Sequence, residues 1–413
     1  MSLIPGEPPL AYAPSADRRQ YVPWLTAADL DVLDDLDVTS ELMLVAHPLA
    51  DAHLRPALAR RVRQRLKLGL LLEPETYLLQ LDAERRAEAD VAPRIALLLE
   101  GRGGHHLDLE SRQSAGTLAS FARQTLDSEV AALATALVAP APLLRPSAPD
   151  TVVNATVLLD AAGAYFVAES LHTPLDTTIP YRPRQLFAAI TLDARALREP
   201  WFLQRVLDSF AAAPPSVYGY LVQVANLGSH PQPRDVRVLA DFLYALEYRA
   251  VRPVLVARVG SLGLGFLAGG LAGYAAGPGV SELLRFPPQP FRRRKDRKGG
   301  FSIVSLHHLL LRNLRTLGPN SDAGRLAFYR LPCTCGHHDA GKPPHVNHAR
   351  KAHNLFWRIR QAPEAVAGGA GWLLEMIARA EVASASIDGE QQFYAALRET
   401  LPLEAVAARS VAG

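Results

Sequence analysis

The amino-acid sequence predicts an α/β protein built as a (β/α)8 TIM-type barrel, and three observations lead there. From Gln185 onward, short apolar runs alternate with helical runs at a spacing of roughly 30 residues, the rhythm of βα units around a parallel sheet. Strand-like sites near Leu68, Leu143, Leu186, Tyr218, Val254, Gly273, Ile303 and Leu326 number eight, which favours a closed barrel over an open sheet. No Gly-x-Gly-x-x-Gly turn follows the first strand site, so a dinucleotide-binding sheet is disfavoured.

Taken in order, residues 1–60 read as a Pro-rich arm and helices, 61–360 as the barrel, and 361–413 as C-terminal helices over its wall. Thr26 is suited to cap a helix beginning at Ala27, with acids in its first turn. Arg55, Arg60, Arg61, Arg63 and Arg65 lie among Leu, Ala and Val as the outer face of a surface helix. The run Leu68 to Leu72 is stopped by Glu73-Pro74 and reads as a buried strand presenting Glu73 at its C-terminal end. Ala115 to Val138 has helical spacing with no Pro or Gly after Gly116, and a brief strand is expected from Ala141 to Pro146. Asn154 to Glu169 is read as a helix on the sheet; the alternative is a strand ending in an Asp160–Gly163 loop.

The clearest units follow. Leu186 to Leu192 is a strand with Asp193 just past its end, and Pro200 opens the next helix. Val217 to Val224 is a strand whose tip carries Gln223 and Asn226. A helix from Arg234 to Arg249 leads to a strand at Pro253 to Arg258, a Gly-rich helix from Leu262 and a strand at Gly273 to Gly277. Between Arg285 and Lys298 the rhythm breaks: Arg285, Arg292, Arg293, Arg294, Lys295, Arg297 and Lys298 face a single acid, Asp296, among prolines and before Gly299-Gly300. Such an exposed basic loop attracts a phosphate backbone through counterion release.

Composition narrows the setting. A formal net charge of +3 over 413 residues decides nothing about partners, while 49% hydrophobic residues support a large core. The N-terminus lacks the basic and apolar regions of a signal peptide. The uncharged stretch Val259–Ser281 is long enough to span a bilayer, but its glycines and modest apolar density favour a buried strand–helix–strand passage, and no membrane is expected. Two cysteines in a Cys-x-Cys cannot form a disulfide framework, which suits a reducing cytoplasm.

Those cysteines open the segment with the most chemistry. Cys333-Thr-Cys335-Gly-His337-His338, followed by His345, His348 and His353, gathers thiol and imidazole ligands as a tetrahedral Zn2+ site needs. The most economical set is Cys333, Cys335, His338 and His353. Four available ligands after the last strand point to a structural zinc rather than a catalytic one.

The segment resembles the zinc-binding end of tRNA-guanine transglycosylases, where a Cys-x-Cys-x-x-Cys is followed by a distal His with Asn-Leu. The matching residues are Cys333, Cys335, His338 in place of the third Cys, and His353-Asn354-Leu355. The gap to the distal His is shorter here. The resemblance implies a barrel enzyme that exchanges or modifies a base in tRNA or DNA, with a 7-deazaguanine as one substrate class. It requires a nucleophilic carboxylate, a second carboxylate as general acid/base, and polar groups reading the base edge. By position, Asp193 and Glu73 are the candidate carboxylates, while Gln223 and Asn226 are the candidate readers. Arg292, Arg293, Arg294, Lys295, Arg297 and Lys298 are the candidate nucleic-acid contacts. Gly269-Gly-Leu-Ala-Gly273 echoes the family's base-reading loop, but the family's Asp followed by Pro-Thr-Arg has no counterpart. Two further readings are a catalytically silent barrel that binds nucleic acid or a partner, and an unrelated barrel enzyme with catalytic zinc.

Overall fold

The computed structural model describes residues 19–25, 32, 43–46, 69–88, 91–99, 107–131, 134, 136–172, 185–228, 230–278, 283–288, 306–307, 312–313, 333–339, 347–383 and 390–402. Its centre is a parallel sheet curled into a barrel-like α/β fold. The strands are β1 (Gln20–Leu25), β2 (Met43–Ala46), β3 (Gly69–Leu72), β4 (Ala136–Ala139), β5 (Leu143–Leu144), β6 (Gln185–Asp193), β7 (Gly219–Ala225), β8 (Val254–Ala257) and β9 (Gly273–Ala276). Parallel pairings run β1–β2, β2–β3, β3–β4, β4–β6, β6–β7, β7–β8, β8–β9 and β9–β1, and β5 adds to β6.

Two-residue periodicity sorts the side chains. Leu186, Ala188, Ile190 and Leu192 of β6 and Tyr220, Val222 and Val224 of β7 join the large core beneath the helices. Phe187, Ala189, Leu221, Leu255, Ala257, Ala275, Val22, Trp24 and Leu71 form a separate cluster, the interior of the curled sheet. Strands buried on both faces read as nearly continuous apolar runs, which is why the sequence signals them so clearly between 185 and 276.

Helices cover the outside. Those between the strands are α1 (Ala83–Arg86), α2 (Ala92–Leu98), α3 (Ala115–Ala131), α4 (Asp150–His172), α5 (Pro200–Ala211), α6 (Pro233–Ala250) and α7 (Leu262–Ala268). Prolines open α5 and α6, where a missing N–H costs nothing. After them come a short antiparallel pair, β10 (Leu306–His307) and β11 (Arg312–Asn313), then α8 (Asn347–Ala383) and α9 (Glu390–Arg398). α8 is two helical pieces joined at Gly369, and it packs against α7 and β1. One described helix, α4, holds a stretch (Asp150–Glu169) long and apolar enough to cross a membrane by length and composition, and it packs against α3.

Several expectations need correction. Residues 1–60 are not only an arm and helices, because β1 and β2 lie in the sheet. β1 contains Pro23, a residue found mostly in edge strands, yet it pairs on both sides. Ala115 to Val138 is not one helix: α3 stops at Ala131, and Ala136–Ala139 is a fully buried strand. Periodicity cannot separate a short buried strand from a helix end when no Gly or Pro lies between them. The Asp160 region is helical, as favoured, and Asp160 is exposed on α4. The strand sites at Ile303 and Leu326 lie outside the described residues, as does Arg55 to Arg65. The glycines echoing a base-reading loop serve packing: a Cβ on Gly269 would strike the Tyr244 hydroxyl, and one on Gly273 would lie 2.8 Å from the Gln20 carbonyl.

One buried acid ties helix to sheet. Glu247 of α6 accepts hydrogen bonds on Oε1 from the backbone N–H groups of Val254 and Ala272, both at 3.2 Å. Burial raises its pKa to about 7, opposed by those two bonds and by Arg19. A raised carboxyl pKa means that the folded state holds the proton more tightly. The stabilisation is complete below the unfolded value near 4.5 and is lost as pH rises through about 7. Glu247→Gln is therefore expected to gain about 1–3 kcal/mol over the wild type at pH 8 in urea unfolding, with the gain vanishing towards pH 5. An equal effect at both pH values would contradict this.

Candidate functional site

Where the strands end, polar side chains take over the interior. Thr191 of β6 and Gln223 of β7 are register partners with the same inward parity as Phe187, Ala189 and Leu221, and both are buried. Glu73 follows β3 two residues beyond inward-facing Leu71 and is also buried. Four atoms of these three side chains, Glu73 Oε2, both amide atoms of Gln223 and Thr191 Oγ1, are buried without a hydrogen-bond partner. The Gln223 amide approaches Glu73 closely enough to lower its pKa, yet completes no bond of normal geometry. Leaving a buried polar group unpaired costs about 1–3 kcal/mol, so a group of them in one place makes this the candidate position for a polar ligand or ordered water.

The loop after β3 supplies the charges. Glu73 Oε1 accepts the Glu75 N–H at 3.0 Å. Glu75, in the left-handed region at φ 52°, presents its carboxylate to Arg94 of α2 and, at 3.5 Å, to Arg258 after β8. Tyr77 donates its hydroxyl to Glu75 at 2.7 Å and accepts from Arg258 Nη1 at 3.1 Å. Arg258 also has positive φ, 57°, and its guanidinium lies 5.3 Å from the Trp24 ring centroid. Strained non-glycine residues at strand ends persist only where the surroundings hold them, and they concentrate at functional sites. Desolvation raises the Glu73 carboxyl to about 7, with Arg258, Gln223 and Arg94 pulling the other way. A carboxyl poised there can hold or accept a proton at neutral pH.

The other sequence candidates are placed differently. Asp193 accepts the Arg195 N–H at 2.9 Å and caps a 3-10 turn, Ala194–Arg198. Asn226, at φ 66°, exchanges two hydrogen bonds with the Phe286 backbone and so fastens Leu283–Pro288 beside the ends of β7 and β8. Its amide is therefore occupied within the fold. Arg292, Arg293, Arg294, Lys295, Arg297 and Lys298 lie outside the described residues. Sequence reasoning missed Thr191, Glu75, Tyr77, Arg94 and Arg258. Glu73-Pro-Glu75-Thr-Tyr77 directly after a strand was the available signal for two of them, and Thr191 shares the parity of its strand's interior residues. Arg94 carries no such mark, because only tertiary structure brings α2 to the strand ends.

The cysteine–histidine cluster forms as a unit. The ligand atoms of Cys333, Cys335, His338 and His353 all lie within 4.8 Å of one another. His353 Nδ1 is 3.4 Å from Cys333 Sγ, 3.3 Å from Cys335 Sγ and 3.0 Å from His338 Nε2. Metal–ligand bonds of about 2.0–2.3 Å in a tetrahedron give ligand–ligand edges of roughly 3.3–3.8 Å, close to these separations. Gly336, at φ 76°, provides the turn between the two halves of the motif. Trp357 Nε1 donates to Cys333 Sγ at 3.2 Å and the His337 N–H to Cys335 Sγ at 3.4 Å, contacts that favour thiolate ligands. His353 and Trp357 are one helical turn apart on α8, so one helix face supplies both a ligand and its support. His338 Nδ1 lies 3.0 Å from the Asp339 carbonyl, a contact that as a donated N–H bond turns Nε2 towards the other three side chains of the cluster. The Cys335 thiol, ahead of the two histidines, holds Cys333 well below the ordinary thiol range.

Of the remaining histidines, His348 stands on α8 outside this group, His337 packs against Phe356, and His345 lies outside the described residues. Asn354 donates to the Pro278 carbonyl at 2.5 Å and fastens the ligand-bearing helix to the chain after β9. These four residues form a cluster that could hold a metal ion. No protein-family model matches the chain, and no curated protein matches it.

Proposed function

We propose that the chain is a complete (β/α)8 barrel stapled by a structural zinc ion, and that it binds and acts on a nucleic-acid base at the C-terminal ends of its strands as a divergent relative of the tRNA-guanine transglycosylases. The observation that carries this is the set of partnerless buried atoms on Glu73, Gln223 and Thr191. An amide that both donates and accepts, beside a hydroxyl and a protonatable carboxyl, matches the alternating donors and acceptors along a purine-like edge. The barrel reading is supported by the pairing circuit through β1, β2, β3, β4, β6, β7, β8 and β9 and back to β1. Zinc suits two thiolates and two imidazoles in a tetrahedral arrangement. It would fix residues 333–339 to α8, and its closed shell leaves no position for a substrate.

In this reading Gln223 and Thr191 orient the base and Glu73 exchanges a proton with it. The basic stretch from Arg292 to Lys298 begins four residues beyond Pro288 and supplies the phosphate contacts. One observation favours a second reading, that of a silent base-binding module. Asp193 is engaged as a cap, and Glu75 is engaged by two arginines, so neither of these two carboxylates is placed as a nucleophile.

The test is incorporation of labelled guanine into tRNA and into DNA by the zinc-loaded protein. Exchange that falls about 100-fold or more in Glu73→Gln is the expected result for general acid/base catalysis. Base binding without exchange assigns the silent module. Neither binding nor exchange contradicts both readings.

A further inference from the structure

We propose that Trp357 is a positioning residue of the cysteine–histidine cluster: its indole N–H aims the Cys333 sulfur at a bound metal ion, draws electron density from that sulfur, and so sets how tightly the ion is held. This role presupposes the metal reading of Cys333, Cys335, His338 and His353 given above, and it belongs to a residue outside that ligand set.

The chemistry of the pair fits a metal-bound sulfur. Trp357 is buried, and its indole nitrogen can only donate. Nε1 donates to Cys333 Sγ at 3.2 Å, within one small buried group. A thiol sulfur is a weak acceptor, whereas the thiolate that a metal requires is an ionised and stronger one. The indole is therefore matched to the ligand form of Cys333. Its N–H takes up part of the negative charge that the sulfur would otherwise carry alone.

The surroundings hold the indole at that sulfur. Trp357 follows His353 by one turn of α8, so a single helix face presents both a ligand and the donor. The Phe356 ring meets the indole at right angles with centroids 5.3 Å apart, and the Arg360 guanidinium lies 5.7 Å from the indole centroid. Phe356 is met in turn by the His337 ring at 5.9 Å, and the His337 backbone N–H donates to Cys335 Sγ at 3.4 Å. Both sulfurs thus receive an N–H, and the residues that supply them are linked through Phe356. His337, the histidine of the motif outside the ligand set, gains a place in this way. The donor to Cys335 is a backbone group that substitution leaves in place, while the donor to Cys333 is a side chain that can be removed.

The test loads the full chain with Co2+, whose absorption bands report coordination number and thiolate ligation. Trp357→Phe should bind Co2+ about 10–100-fold more weakly than the wild type, the usual loss when a partner of a metal ligand is removed. Its sulfur-to-cobalt charge-transfer band should move to longer wavelength, because a sulfur without its N–H bond gives up electron density more easily. Leu355→Ala removes core packing from the same helix without touching a sulfur; it should melt lower and keep the wild-type band. Should Trp357→Phe fail to fold, the wild type loaded with 113Cd decides. One of its four indole N–H signals should show coupling to 113Cd across the N–H···S bond. Tetrahedral thiolate bands in the wild type with the same band position and affinity in Trp357→Phe would overturn the role of Trp357 and leave the metal reading standing. Bound 113Cd with no coupled indole would do the same. No Co2+ binding by the wild type would overturn both.

Discussion

Cys335→Ser, or treatment with a chelator under reducing conditions, is expected to release one metal ion per chain and cause the largest loss of stability of any single change considered. Around the cluster, the described apolar support is Cys333, Cys335 and Trp357 with Phe356 packed against them, too small a core to fix residues 333–339 by hydrophobic burial. Structural zinc contributes about 10–16 kcal/mol in small peptides, where binding and folding are one event. Here α8 is also held by α7 and β1, so about 3–5 kcal/mol is the expected cost, a part of that coupling. Hydrogen exchange should localise the loss to residues 333–339 and the first turns of α8, with β6 to β8 still protected. Because the ligands must be two thiolates and two neutral imidazoles, affinity should also fall as pH drops below the ordinary histidine range near 6.5. A metal-free protein with unchanged melting, or a Cys335→Ser variant that keeps its metal, would contradict the assignment.

Gln223→Leu is expected to do two opposite things. Gln223 is fully buried in the C-terminal half of β7, and both of its amide atoms lack partners. Replacing it with an apolar side chain of similar size removes an unsatisfied amide, so the variant should be more stable by about 1–3 kcal/mol. A core residue chosen for packing alone would not behave this way. The same substitution removes the amide proposed to read the base edge, and affinity for the proposed base should fall about 100-fold or more. Stabilisation with loss of binding identifies a ligand site whose strain the fold tolerates for function. Destabilisation would mean that Gln223 serves the fold.

The strands from β6 to β9 and the helices between them were legible because both faces of each strand are buried and Pro, Gly or charged residues punctuate every change of period. β1, β2 and β4 were not. Pro23 disguises the first, the second is four residues long, and the third follows α3 without a breaker. The Cys/His cluster was readable from spacing because three of its four residues sit within six residues, and the helix that follows carries His353 to them. Among the strand-end residues, Glu73 and Gln223 were accessible as polar residues interrupting apolar runs. Asp193 looked equally suitable by that rule, but a polar residue just past a strand serves as readily to cap the following turn. Arg94 and Arg258 are brought together from opposite sides of the sheet, and nothing local in the sequence records that meeting.

The most direct measurement is calorimetric titration of the zinc-loaded protein with 7-deazaguanine at pH 6.5, repeated with Gln223→Leu. Saturable binding in the wild type, lost in a variant that melts at the same or a higher temperature, is the result predicted for a base read by Gln223 and Glu73. Absence of binding in the wild type, or equal affinity in both proteins, would contradict it.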